Sequence, residues 1–294
     1  MAITTELIKI VREKSGAGML DCKKALEATE GNIDNAIDWL REKGISKAAK
    51  KADRIAAEGI AAIKIDGNVA AIVEVNSETD FVAKNTEFTS MVDEILSVII
   101  ANDVKSVDEV LALSCSEGTI NDLIINKTAK IGEKLSFRRF ERIVKADDEA
   151  FGDYIHMGGK IAVLTVVTGA SSAVAKDVSM HAAAMRPQFV KSSDVPTEQL
   201  EKEMKIIKEQ LINEGKPEKI IDEKIMPGKV SSYYEEVCLE NQIFVKAENG
   251  ESVAKFVENN GGSIVTSVRY EVGEGMEKRE ENFADEVAKQ MQGK

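Results

Sequence analysis

Apolar residues recur at helical spacing from the start of the chain to residue 44. Breaks at residues 15–18 (Ser-Gly-Ala-Gly), at Gly31 and at Gly44 divide or end this spacing, so three short helices are predicted. A bundle of this size buries only a small core, and its other faces are available for binding. We therefore predict a three-helix domain over residues 1–45.

The apolar pattern changes to period two after a segment rich in Ala and Lys. That segment, residues 46–57, is predicted to be a charged helical linker. Residues 61–65 and 69–75 then alternate as β-strands do, and the Asp-Gly-Asn sequence at 66–68 is a strong hairpin-turn signal. The elements predicted next are two helices and a strand, at residues 88–99, 121–130 and 135–144.

The same order of elements occurs a second time along the chain. Gly158 and Gly159 mark another hairpin, which is followed by predicted helices at 174–185 and 252–258 and by a strand at 264–272. Hairpins, helices and closing strands in this order predict an α+β fold with antiparallel sheets. The two related subdomains are predicted at residues 58–145 and 146–280.

A helical pair interrupts the second subdomain at residues 197–226. Its apolar residues from 200 to 211 step by four, three and four, which is the spacing of a coiled-coil seam. We predict an antiparallel arm that protrudes and needs a partner surface; the alternative is that the pair lies on the core. A last amphipathic helix module is predicted at 281–294.

The charge balance disfavours several classes of partner. Asp and Glu number 51 and Lys and Arg 39, a net charge of −12, so we expect no membrane surface and no direct nucleic-acid contact. No apolar run is long enough to span a bilayer, and no secretory signal is visible. The cysteines are odd in number and widely spaced, which fits a reduced compartment. We therefore expect a cytoplasmic protein.

No catalytic constellation is visible in the sequence. The glycine motifs that bind dinucleotides or phosphates are absent, and two histidines, His156 and His181, are too few for a His-rich metal site. His156 follows Tyr154 on a predicted strand, where packing at a surface explains it better than general-base chemistry. We predict a binding protein without catalytic residues, cofactor or metal ion; a small-molecule enzyme with a deep polar pocket stays open.

The polar junction at residues 76–85 supports two interpretations. In the first, Thr79 or Asp80 caps the following helix, and Phe81 packs beneath it as a hydrophobic staple. In the second, Asp80 and Phe81 form a tip presented to another protein. Residues 79–82 are called the tip below.

An apolar pair in the small bundle has a similar ambiguity. Met19 and Leu20 follow the glycine-rich break and lie near the cations Arg12 and Lys23. They are either core residues or an exposed apolar pair that suits a protein partner.

Several stretches together resemble the bacterial elongation factor Ts family. The segment 15–26 (SGAGMLDCKKAL) resembles the ubiquitin-associated-like bundle of that family, and 78–85 (ETDFVAKN) resembles its signature. The resemblance extends over nearly the whole chain. The further stretches are 130–133 (KIGE), 154–156 (YIH), 181–184 (HAAA) and 271–275 (EVGEG).

The resemblance implies a guanine-nucleotide exchange factor for the translational GTPase elongation factor Tu, without a chemical active site of its own. Thr79, Asp80, Phe81 and Val82 would enter the GTPase beside its magnesium site. Phe81 would act as a wedge between helices of the partner and Asp80 would act near them. Mg²⁺ would be dislodged and GDP would leave.

The resemblance also implies a broad interface with that GTPase. The partner-binding residues would be Arg12, Met19, Leu20, Lys23, Ile131, Gly132 and His156. The helical pair resembles the family's coiled-coil arm, a dimerisation element, so that a homodimer or a 2:2 assembly stays open. The alternative function is a polypeptide-binding adaptor that acts through the N-terminal bundle.

Two segments depart from the family pattern. Residues 226–229 (MPGK) stand where an acidic residue before Gly-Arg is expected, and Pro227, which lacks an N–H, should break or kink the helix there. Ile243 stands where the family often has Pro, which weakens the transfer of any contact to that segment.

Overall fold

The computed structural model describes residues 3–15 and 17–277, apart from the side chains of residues 45–47. These residues form two compact units. The first consists of the described residues within Met1–Lys64, Val73–Arg142 and Glu271–Lys294, and the second of Ile65–Ile72 and Ile143–Tyr270. The helix module expected at 281–294 lies outside the described residues, and the domain boundaries given above stay predictions.

The first unit begins with three helices, α1 (Thr5–Ser15), α2 (Met19–Ala28) and α3 (Ile33–Ala49). α3 continues past Gly44, where the sequence predicted its end. A Cβ on Gly44 would lie 3.5 Å from the Cβ of Ala129, an ordinary packing distance, so Gly44 lies inside α3 where this helix packs on α7. The buried residues shared by the three helices are Val11, Cys22, Ala25, Leu26 and Ala36.

The predicted hairpin forms the first sheet. β1 (Glu58–Asp66) and β2 (Val69–Ser77) are joined by a turn in which Gly67 has a φ of 55°. The elements that follow are α4 (Asp80–Ala83), α5 (Thr86–Ala101), α6 (Val107–Ala112), β3 (Ser114–Cys115), β4 (Gly118–Thr119), α7 (Ile120–Ile131) and β5 (Ser136–Val144). The strand order is β1-β2-β5.

The central strand β2 is buried on both faces. The predicted alternation placed Val73 and Val75 on one face, but Glu74 and Asn76 on the other face are buried as well. The second half of the predicted helical linker is not helical, because the chain from residue 50 to 57 forms turns and irregular backbone.

The second unit repeats the scheme with β6 (Glu149–His156), β7 (Ile161–Thr168), α8 (Ser172–Met185), α12 (Val253–Asn259) and β8 (Ser263–Glu271). β6 and β7 are antiparallel, with His156 opposite Ile161, and the strand order is β6-β7-β8. α8 packs so closely on β6 that a Cβ on Gly152 would lie 2.1 Å from the backbone N of Lys176. The predicted hairpin around Gly158 and Gly159 is confirmed.

The helical pair consists of α9 (Thr197–Asn213), α10 (Glu218–Ile220), a π-helical turn (Ile221–Ile225) and α11 (Met226–Val237). Its two sides run antiparallel, since Lys208 contacts Asp222 at 2.9 Å and Gln199 contacts Tyr233 at 2.9 Å. The returning side extends beyond residue 226, and Pro227 does not end it. Pro227 follows the π-helical turn directly, and the chain is helical before and after it, so the missing N–H coincides with an irregular part of the helix.

Helices and antiparallel sheets together confirm the predicted α+β class. Within the residues that the structure describes, no helix combines the length and the apolar character needed to cross a membrane.

Candidate functional site

The tip lies on a short helical turn between β2 and α5. β2 ends at Ser77, and α5 is capped by Asn85, whose side-chain oxygen accepts the N–H of Glu87 at 2.8 Å. Thr79 stands before α4 but makes no side-chain capping bond. The prediction that Thr79 or Asp80 caps the following helix was wrong, because Asn85 lies closer to its first turn.

Phe81 points away from the unit. Its side chain is 80% exposed, while Val82 and Ala83 beside it are buried. Successive helical residues differ in direction by about 100°, so the buried pair attaches α4 and leaves Phe81 in solvent. Burying a Phe side chain is worth roughly 1.5–3 kcal/mol, which the free protein does not gain. The staple interpretation is therefore wrong, and the predicted exposure of Phe81 is confirmed, whereas Val82 of the tip is buried.

Thr79 is held by the carboxylate of Glu133. The backbone N–H of Thr79 donates to Oε2 at 3.0 Å, and its hydroxyl donates to Oε1 at 2.7 Å. Ser77 adds a bond from its hydroxyl to the carbonyl of Thr79 at 2.9 Å. The start of the tip is thus fixed by polar contacts from two directions.

Glu78 is held by a second set of contacts. Arg54 donates to both of its carboxylate oxygens, at 3.2 and 3.4 Å, and the N–H of Lys134 donates at 2.6 Å. The Lys134 ammonium reaches back to the carbonyl of Arg54 at 2.9 Å. At the exposed side of the tip, Asp80 forms only a weak pair with Lys84, at 3.4 Å.

The turn after α7 brings Ile131 and Gly132 beside these contacts. α7 ends with Gly132 in the left-handed conformation, with a φ of 91°, and the chain then continues to Glu133. The Gly132 carbonyl accepts a bond from the Lys51 ammonium. The structure therefore places Ile131 at the end of α7 and Gly132 at the start of the loop that holds the tip.

The predicted contacts of the bundle are exposed. Met19 is 49% and Leu20 is 75% exposed, so the core interpretation of this pair was wrong. Arg12 and Lys23 are exposed as well. Cys22, in the same helix, is buried instead.

The bundle packs on α7 through α3. Arg41 of α3 lies 2.8 Å from Asp122 at the start of α7, and Asp122 also completes a capping box with Thr119. The bond from the Thr119 backbone, followed by the pairing with Arg41, lowers the pKa of Asp122.

His156 lies in the second unit, at the exposed end of β6. Its Nδ1 is 3.2 Å from the hydroxyl of Tyr154, and the two rings stack with centroids 5.9 Å apart. Met157, next in the chain, is exposed in the left-handed conformation. This predicted contact is thus available at a hairpin end, on an aromatic and apolar surface.

A family of known proteins matches most of this chain. A family model described as Elongation factor TS matches residues 78–274, which is most of the chain. The chain belongs to the elongation factor Ts family. Members of this family are translation elongation factors, and the family resemblance stated from the sequence is confirmed.

The elongation factor Ts match begins at Glu78, in the contacts that hold the tip, and ends at Glu274, at the exposed edge of a charged cluster. Glu74 is the centre of that cluster. It accepts bonds from Arg138 at 2.8 Å, Arg139 at 2.6 Å and the Gly273 N–H at 2.9 Å. The cluster ties β2 and β5 to the chain that follows β8.

The ionised form of Glu74 is favoured. Burial alone would raise the pKa of this carboxyl, but the bonds from Gly273, Arg138 and Asn76 and the charge of Arg139 outweigh it. The pKa of Glu74 is therefore lower than usual.

A second buried polar cluster involves His181, in another stretch of the elongation factor Ts resemblance. Its Nδ1 accepts the N–H of Val245 at 3.2 Å, so Nε2 carries the proton toward Gln242, at 3.0 Å. Burial lowers the pKa of His181, although the bond to Gln242 opposes this. His181 is accordingly neutral and structural.

Sequence reasoning missed the residues that hold the tip. Glu133 lies in one of the stretches that resemble the family, but the sequence predicted no role for it. The sequence also predicted no contact for Arg54 or Lys134. A usable signal was Gly132, because a glycine that ends a helix reverses the chain and can return the next side chain to a neighbouring loop. In the described part of the chain, no group of three or more His, Cys, Asp or Glu side chains is arranged to hold a metal ion.

Proposed function

We propose that this protein is a guanine-nucleotide exchange factor for elongation factor Tu. It binds the GDP complex of the GTPase and inserts the tip beside the magnesium site. Phe81 wedges between partner helices, Asp80 acts near them, and Mg²⁺ is dislodged. Mg²⁺ links the diphosphate to the GTPase, so its loss weakens GDP binding and GDP leaves. The exposure of Phe81 on a firmly held turn is the observation that supports this proposal most strongly.

The release of GDP requires more binding free energy than burial of the tip supplies. Burial of Phe81 supplies roughly 1.5–3 kcal/mol, about one to two decades in affinity. The remaining contacts are Arg12, Met19, Leu20 and Lys23 of the bundle, Ile131 and Gly132 of the α7 turn, and His156. Because coupling between ligands is reciprocal, GDP with Mg²⁺ must in turn expel the factor.

We also propose that the helical pair is a dimerisation arm, so the assembly is a homodimer or a 2:2 complex. Analytical ultracentrifugation of the full chain, alone and with the GTPase, tests this part. Monomers at all concentrations and a 1:1 complex would contradict it.

A GDP-release assay tests the exchange function. Elongation factor Tu loaded with labelled GDP and Mg²⁺ is mixed with the full chain, and the release rate is followed. We expect strong acceleration by the native chain and its loss in Phe81→Ala. Val144→Ala, which also truncates an exposed apolar side chain, is the control and should behave as the native chain does.

Unchanged release with the native chain would refute the exchange function. Binding of unfolded polypeptide that depends on Leu20, without any effect on GDP release, would favour the adaptor alternative. The exposed Met19 and Leu20 pair is the surface on which that alternative depends.

A further inference from the structure

We propose that Glu133 is a positioning residue for exchange, because its carboxylate fixes the start of α4 and thereby sets the direction of Phe81. The inference rests on the proposed exchange function. Glu133 itself need not touch the partner.

The contact between Glu133 and Thr79 is a two-point contact. One carboxylate oxygen accepts the backbone N–H at 3.0 Å and the other accepts the hydroxyl at 2.7 Å. The first bond fixes the backbone before α4, and the second fixes the rotamer of Thr79. Both donors are directed to a charged acceptor, and such bonds are shorter and stronger than those between neutral groups.

The carboxylate is itself held in place. Gly132 reverses the chain at the end of α7 with a φ of 91°, so Glu133 starts from a defined backbone. The next residue, Lys134, donates its N–H to Glu78 at 2.6 Å. Consecutive residues of one loop therefore hold consecutive residues of the other, which prevents the two loops from sliding past each other.

Phe81 depends on this arrangement for its direction. Its ring is 80% exposed, so few contacts of its own orient it. The backbone of α4 is anchored on one side by the buried Val82 and Ala83 and on the other by Thr79. Without the Glu133 contact, the Ser77 bond to the Thr79 carbonyl remains, but the start of α4 has more freedom to rotate, and the partner must order it on binding. That ordering slows the step in which the tip displaces Mg²⁺.

The test is Glu133→Gln in the full chain. The glutamine oxygen can still accept the Thr79 N–H, and its amide can meet the Thr79 hydroxyl only by donating to it, so neither bond keeps a charged partner. GDP release from elongation factor Tu·GDP·Mg²⁺ is measured across a range of factor concentrations. We expect the plateau rate to fall about tenfold, because both bonds lose their charge assistance, while the half-saturating concentration changes little.

Glu109→Gln is the matched control. The Glu109 carboxylate also accepts a backbone N–H, that of Lys105 at 2.8 Å. Among the described residues, Glu109 forms no hydrogen bond with the tip. We expect native kinetics from this variant. A lower plateau in Glu109→Gln equal to that of Glu133→Gln would show a general effect on the fold and overturn the inference.

Thr79 variants provide an independent check. Thr79→Ser keeps the hydroxyl and should keep the native plateau, whereas Thr79→Val should lose about as much as Glu133→Gln. In the double variant, the two losses should not add, because both variants weaken the same contact. Fully additive losses would overturn the inference.

The outcomes separate this inference from the exchange function. If the native chain accelerates release, Phe81→Ala abolishes it and Glu133→Gln leaves the plateau unchanged, only the role of Glu133 is refuted. If Glu133→Gln changes only the half-saturating concentration, Glu133 acts in binding and the positioning role is refuted. If the native chain does not accelerate release, the exchange function fails and the inference fails with it.

Discussion

Glu74→Gln is expected to destabilise the first unit more than any surface substitution. The carboxylate of Glu74 has no exposure and accepts bonds from Arg138, Arg139, Gly273 and Asn76. A glutamine would bring an amide N–H₂ against these donors and leave two guanidinium charges without their common anion.

The expected loss of stability in Glu74→Gln follows from the burial of the Glu74 ion pairs. Breaking a fully buried ion pair from one side costs about 3–5 kcal/mol. The Arg138 and Arg139 side chains are 26% and 30% exposed, so water compensates part of the lost charge. We therefore expect the free energy of unfolding to fall by about 2–4 kcal/mol and Tm to fall by about 5–15 °C.

The assay is thermal and urea unfolding of the full chain as a function of pH. An unfolded Glu titrates at about 4.3, and the folded pKa of Glu74 is lower. Its contribution is therefore present above pH of about 4.3 and is lost as pH falls through the folded value. The stability difference between native chain and variant should narrow in acid. A loss no larger than that of Glu109→Gln, or a constant difference down to acid pH, would refute this reasoning.

Two further predictions concern the second unit. In an NMR titration, the lowered pKa of His181 should place its transition below the unfolded value of about 6.5. The stability that comes from the neutral His181 should be lost as pH falls below that unfolded value. Titration of His181 at or above about 6.5 would contradict the structure. Gly152→Ala should lower the free energy of unfolding by at least about 3 kcal/mol, because the new Cβ would overlap the backbone of α8. Gly228→Ala, in open space within α11, should instead stabilise by about 0.5–1 kcal/mol. Urea unfolding of both variants checks this, and equal effects would contradict it.

The fold was largely predictable because its elements depend on local pattern. The 66–68 turn and the glycines at 158 and 159 set the two hairpins, and apolar spacing gave α5, α7 and α8. Tertiary contacts overrode the local signals elsewhere. Gly44 looks like a helix end but lies where α3 packs beside Ala129, and Pro227 looks like a break but the chain stays helical on both sides of it.

The tip was predictable only in part. An aromatic residue in a polar junction indicated either a staple or a contact, and the exposure of Phe81 decided between them. The contact between Thr79 and Glu133 joins residues 54 positions apart, so no periodicity or short motif could reveal it. The same limit applies to Glu74, whose partners come from β5 and from the chain near residue 273.

Helix α7 fixes the spacing between the two exposed surfaces of the first unit. Its start carries the bundle through Asp122, and the turn at its end carries the tip through Glu133. A helix of this length spans about 18 Å and resists bending. For a partner that contacts both surfaces, the second contact is therefore intramolecular and occurs at a high effective concentration. Two modest contacts can then give an affinity that neither provides alone.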